Sequence, residues 1–269
     1  MKSVLLHVND DKGQETRLLA ALAVARQQGA RLTCIQVTPV SDFIVTDPFG
    51  GMYQVTTLFE QLAEQAVAAR TKIEARLAKE NVAWDWSVHD GNVAATIVSQ
   101  SRLADLIVLS QSNETGSGGT RPIPLVVDVA MHARTPVLAV PVVAQTFDPG
   151  GVAIIAWNGS PESANAARAA LPMLKMAREV HVITFDENED FPMDNVRSYL
   201  ALHGVGAECA EHRLDGNTVG EALCDAATRH KASYIVMGAY GHSRLREAVL
   251  GGVSRHMFAH SPVPLLLSH

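Results

Sequence analysis

Residues 234–269 read YIVMGAYGHSRLREAVLGGVSRHMFAHSPVPLLLSH. The stretch opens on an apolar run that ends at Gly238 and closes on PLLLS, with a helical pattern between them. Strands that stay apolar at nearly every position, instead of alternating, are buried on both faces, which is the habit of a parallel sheet covered by helices. Gly238, Gly241 and Gly251 follow the spacing G-x2-G-x9-G, and Gly252 adds a fourth. Glycine gives up more conformational freedom on folding than any other residue, so its concentration here implies a turn or a close backbone approach. Ligands of parallel α/β sheets bind beyond the carboxyl ends of the strands. Free N–H groups at a helix N-terminus attract anions. A phosphate grip divided between two glycine clusters and a simple change of chain direction both fit the glycines taken alone. His242, Ser243, Arg244 and Arg255 lie close by as further donors.

Outward from this stretch the chain repeats itself. VLLHVND (4–10) recurs as AIIAWNG (153–159). HDGNVAATIVSQSRLADLIVLS (89–110) recurs as LDGNTVGEALCDAATRHKASYIVMG (214–238), and TPVLAV (135–140) as VPLLLS (263–268). Self-similarity of this length marks two copies of one unit. Between them AQTFDPGG (144–151) has linker composition. The reading therefore gives two domains, 1–147 and 148–269.

Each copy alternates strands with helices. In the second, Ser160 suits an N-cap and Pro161 the first helical position. Ala167, Ala170, Leu171 and Leu174 follow at helical spacing. Gly204 has the place of a glycine just past a helix end. A helix over 218–230 puts Val219, Ala222, Leu223 and Ala226 on one face. The result is β-α-β-α-β-α-β-α-β, a parallel α/β unit. The stretch from Val4 to Asp90 is 24 residues longer than its counterpart from Ala153 to Asp215, and the excess lies around 39–67. It reads as a long loop running into a long helix.

Composition narrows the function classes. Of 269 residues, 47% are hydrophobic and 19% charged, and the net charge is -6. That sign argues against non-specific nucleic-acid binding, which needs cations to neutralise phosphates. No apolar run approaches the roughly 20 residues of a membrane span, and the N-terminus does not read as a secretory signal. Cys34, Cys209 and Cys224 form no C-x-x-C pair, as expected of reduced thiols in a cytoplasmic protein. No G-x4-G-K-[ST], H-E-x-x-H or Ser-His-Asp arrangement can be assigned. His256 and His260 are four apart on the last helix and able to share a face. Asp90 and Asp215 begin the repeated Asp-Gly-Asn turns, where local hydrogen bonding is their ordinary role.

The G-x2-G-x9-G spacing after VMG, SPES after the first strand of the second copy, and the closing SPVPLLL together resemble the universal stress protein family, in its tandem form. The resemblance spans both copies. It implies two five-stranded parallel, Rossmann-like domains that pair through their last strands as an internal pseudo-dimer. One subgroup of the family binds ATP or AMP through the glycine segment. The resemblance then implies that Asn158 contacts the nucleoside and that Thr184 and Phe185 supply the adenine side. Met237 lines the base pocket. Gly238, Gly241, Gly251, Gly252, Val253 and Ser254 hold the phosphates, with Mg2+ present only if ATP is the ligand.

Two positions depart from that subgroup. Gly252 stands where Ser or Thr is usual, and Asn158 where Asp is usual; an amide still donates and accepts. The first copy departs further: Ser110 replaces the first glycine, and Gly116, Gly118 and Gly119 are bunched ahead of Pro122 and Pro124. It reads as a degenerate partner domain. The leading expectation is a non-enzymatic stress-response protein that binds an adenine nucleotide in its C-terminal domain and acts on an unknown protein partner, with a homodimer of the chain as its assembly. The alternatives are an interaction module that has lost nucleotide binding and a slow phosphohydrolase.

Overall fold

The computed structural model describes residues 1–38, 52–111, 124–143, 147–185, 189–239 and 252–269, with backbone alone at 52–63 and 65. In the first half, β1 (Ser3–Val8), α1 (Gln14–Gln28), β2 (Arg31–Thr38) and α2 (Met52–Leu77) lead into β3 (Trp84–Asp90). Then come α3 (Val93–Gln100), β4 (Leu106–Gln111), α4 (Leu125–His132) and β5 (Val137–Pro141). The second half repeats the order: β6 (Val152–Ala156), α5 (Pro161–Leu174), β7 (Glu179–Thr184), α6 (Met193–Leu202), β8 (Glu208–Glu211), α7 (Val219–Arg229), β9 (Tyr234–Gly238), α8 (Gly252–His260) and β10 (Leu265–Ser268).

Local chemistry accounts for many boundaries. The Ser160 side chain accepts from Ser163 N–H, and Pro161 follows at the first helical position, so α5 starts where the sequence places it. Helix α6 ends in a Schellman turn: Val205 N–H donates to Leu200 O at 2.9 Å, and Gly204 N–H to Ala201 O at 3.0 Å. Gly204 takes the left-handed φ of 77° that the motif needs. Thr218 and Glu221 form a reciprocal capping box on α7. The repeated Asp-Gly-Asn turns differ in detail. Asn92 itself caps α3, accepting from Ala95 N–H at 3.0 Å, whereas in the second half the cap moves one residue on to Thr218. Strand β8 is short, stopping at Glu211.

The ten strands form one sheet in the order β3-β2-β1-β4-β5-β10-β9-β6-β7-β8. Every neighbouring pair is parallel except β5 with β10. At that seam Leu265 faces Ala139, Leu266 faces Leu138 and Leu267 faces Val137. The two halves are thus parallel five-stranded units joined last strand to last strand. One apolar layer packs α1, α2, α5 and α6 on one face, and a second packs α3, α4, α7 and α8 on the other. Across the halves, Gln28 Nε2 on α1 donates to Pro172 O on α5 at 2.8 Å. Helix α2 realises the helical part of the longer first copy and buries Ile73 and Leu77; positions 39–51 lie outside the described residues. The three cysteines are unpaired. Among the described residues, no helix is long and apolar enough to cross a membrane.

Candidate nucleotide site

Strand order turns back on itself at β6: the chain runs outward from β6 to β7 and β8, then returns to β9 on the other flank. The crevice beyond the carboxyl ends of β6 and β9 is the switch point where such sheets bind ligands. Ala156 lies in register with Ile183 on β7 and with Met237 on β9. The residues that follow, Asn158, Thr184–Phe185 and Gly238, therefore share one edge of the sheet. Ala156, Phe185, Met237 and Val253 all belong to the layer that carries α7 and α8. The structure thus brings together most of the candidates. Gly241 and Gly251, with His242, Ser243 and Arg244, lie outside the described residues.

Each residue has its own surroundings. Asn158 is exposed, and its Oδ1 accepts from Ser160 N–H at 3.2 Å in a local turn. Gly159 beside it has φ 70°, a conformation that suits glycine. Thr184 is buried, and its carbonyl accepts from His212 N–H at 2.8 Å. Met237 is 5 % exposed and forms an apolar floor. Gly252, Val253 and Ser254 open α8, and their N–H groups head the helix. Among the described residues, a side chain added at Gly252 would meet nothing within 4 Å.

Gly238 has a packing reason that the sequence did not disclose. A Cβ there would stand 2.6 Å from Glu162 C and 2.7 Å from Ser163 N. Glycine is needed because the first turn of α5 rests directly on the end of β9. That contact holds the α5 N-terminus, including buried Glu162 and Ser163, against the crevice.

Beside Phe185 lies a polar cleft lined by His212, Arg213, Asp215, Asn217, Asp225 and Arg229. His212 belongs to a cluster of three imidazoles that sequence reading missed. The rings of His181 and His230 are 4.2 Å apart, and those of His212 and His230 6.2 Å. His181 is buried, with Nδ1 3.3 Å from Glu208 Oε2. Burial, and then the neighbouring imidazoles and Arg229, lower the proton affinity of His212 and His230. The three come from β7, the end of β8 and the end of α7, so no spacing in the chain announces them. His256 and His260 do share a face, their rings stacked at 4.4 Å. Among the described residues, no group of three or more His, Cys, Asp or Glu is arranged to hold a metal ion.

A model of the universal stress protein family matches residues 1–141 and 152–269. Two solved structures resemble the whole chain. One is a universal stress protein from Archaeoglobus fulgidus, at 15% identity and a TM-score of 0.76, over 99% of this chain and 96% of that one. The other is a universal stress protein from Pseudomonas aeruginosa, at 16% identity and a TM-score of 0.64, over 100% of this chain and 93% of that one. No curated relative matches the chain.

Proposed function

The chain belongs to the universal stress protein family in its tandem form, and from that premise we propose that its second half binds an adenine nucleotide, ATP or AMP. The observation that carries the proposal is the meeting of Asn158, Phe185, Met237 and Gly238 at the carboxyl ends of adjoining strands, with Phe185 and Met237 on the layer where α8 begins. Adenine stacks against the apolar floor of Met237 and the ring of Phe185. The Asn158 amide serves the nucleoside, and the N–H groups of Gly252, Val253 and Ser254 face the phosphates with the helix dipole behind them. Gly241 and Gly251 complete the phosphate grip. If ATP is the ligand, Mg2+ accompanies its phosphates.

The protein acts by binding, not by turnover, as a cytoplasmic stress-response component whose occupancy tunes its hold on a protein partner or on a second copy. The test is mass spectrometry of ligand released from the purified protein, compared with an Asn158→Ala, Met237→Asp double variant. Adenine nucleotide released by the wild type and not by the variant supports the proposal. Equal amounts in both, or none in either, oppose it. A second reading, an interaction module without nucleotide, is favoured by Gly252, which brings no hydroxyl to the phosphates.

A further inference from the structure

The imidazoles of His181, His212 and His230 lead from the end of α7 to the wall of the candidate nucleotide site. His181 alternates onto the same face of β7 as Ile183, the layer that carries α7 and α8. His230 caps the end of α7, and His212 directly follows β8. Their contacts run in series. The His181 ring lies 4.2 Å from His230, and His230 lies 6.2 Å from His212. His212 in turn stands edge to face with Phe185 at 6.1 Å. One end of the series is therefore the ring proposed to stack on adenine, and the other is the buried His181. In the first half Thr33 takes the place of His181: it pairs with Leu5 and Asp85 as His181 pairs with Ile154 and Glu208. The series thus belongs to the half that carries the candidate site.

Charged groups border the series from every element around it. Glu179 comes from β7, Glu208 and Glu211 from β8, Arg213 and Asp215 from the turn after it, and Asp225 and Arg229 from α7. Glu208 Oε2 is 3.3 Å from His181 Nδ1, and Glu179 Oε2 is 3.6 Å from its Nε2. Burial, then Arg229 and His181, lower the proton affinity of His212. Burial, then His181, His212 and Arg229, lower that of His230, against an opposing pull from Glu208. The packed form therefore binds protons less readily than a form in which the end of α7 has moved off the sheet. By linkage, acid favours the second form. Rings this close also titrate as a unit, each bound proton opposing the next.

We infer that the three imidazoles form a proton-sensitive latch that seats the end of α7 on β7 and, through His212 and Phe185, regulates the nucleotide site. Neutral rings hold α7 down, and acid releases it. The link to nucleotide rests on the reading above; the latch does not. Hydrogen exchange of the ligand-free protein reads the latch directly. Between pH 7.5 and 5.5, protection factors of the α7 amides fall about tenfold relative to those of α3, the scale of one pKa unit. In His230→Asn they do not fall. If His230→Asn does not fold, His212→Gln takes its place. Unchanged relative protection of α7 in the wild type, or the same fall in the variant, overturns the latch. Calorimetric titration of AMP reads the link. The wild-type dissociation constant rises about fivefold more than that of His230→Asn over the same pH range. Titration of the AMP phosphate is common to both proteins and cancels in the comparison. Identical pH profiles overturn the regulation of the site while upholding the nucleotide reading. No binding to either protein at either pH overturns the nucleotide reading, and the exchange data then decide the latch.

Discussion

Gly252 is the residue on which affinity turns most simply. It heads α8, is exposed, and no described residue lies within 4 Å of where a side chain would project. Gly252→Ser should leave stability within about 0.5 kcal/mol, as surface changes usually do. It should tighten AMP or ATP binding about ten- to a hundredfold, the worth of one hydrogen bond to a charged group. Competition binding of a fluorescent adenine nucleotide measures this, and unchanged affinity would mean that the helix start does not face the phosphates. His7 makes a different residue-scale prediction. Burial first, and then the Arg17 charge, hold its pKa at about 3 against an ordinary 6.5. The folded chain therefore binds fewer protons here than the unfolded chain between those limits. The stability this provides is full above the ordinary value and is lost as pH falls through the window, at up to about 1.4 kcal/mol per pH unit. Urea midpoints of the wild type should drop faster than those of His7→Leu between pH 6.5 and 4; parallel curves would contradict the buried neutral imidazole.

At the scale of elements, Lys231 ends α7 in the left-handed region with φ 50°, and Ala232 N–H closes the turn on Ala227 O at 2.8 Å. The geometry is that of α6, where glycine holds the same post. Lys231→Gly should stabilise the protein by about 1 kcal/mol, since only glycine takes this conformation without cost. A lower urea midpoint would contradict it. Caps and turns of this kind are set by neighbours in the chain, which is why Ser160, Pro161 and Gly204 were legible in the sequence. The burial of Arg17 was not: its partner Ser110 is 93 positions away, and an arginine on a helix reads as solvent-facing until the strand end opposite is known. The imidazole cluster was hidden for the same reason. Gly238 was noticed for its spacing, but its contact with Glu162 and Ser163 required the packed helix.

For the whole molecule, the seam between β5 and β10 makes two parallel units into one sheet, and composition and periodicity alone did not specify it. It became an expectation only through the family resemblance. Leu138 and Leu266 face each other there, both fully buried. Leu266→Ala should cost about 2–5 kcal/mol by opening a cavity at the junction. Because both halves bury apolar surface at the seam, denaturation should remain one cooperative transition at a lower midpoint. Two separated transitions in the wild type would show that the halves do not stabilise each other.

The most direct test of the central claim is calorimetric titration of AMP and ATP into full-length protein stripped of any endogenous ligand. The account predicts saturable binding at one site per chain, with a dissociation constant on the order of micromolar. Absence of any binding heat for either nucleotide, up to millimolar concentration and at two temperatures, would contradict it.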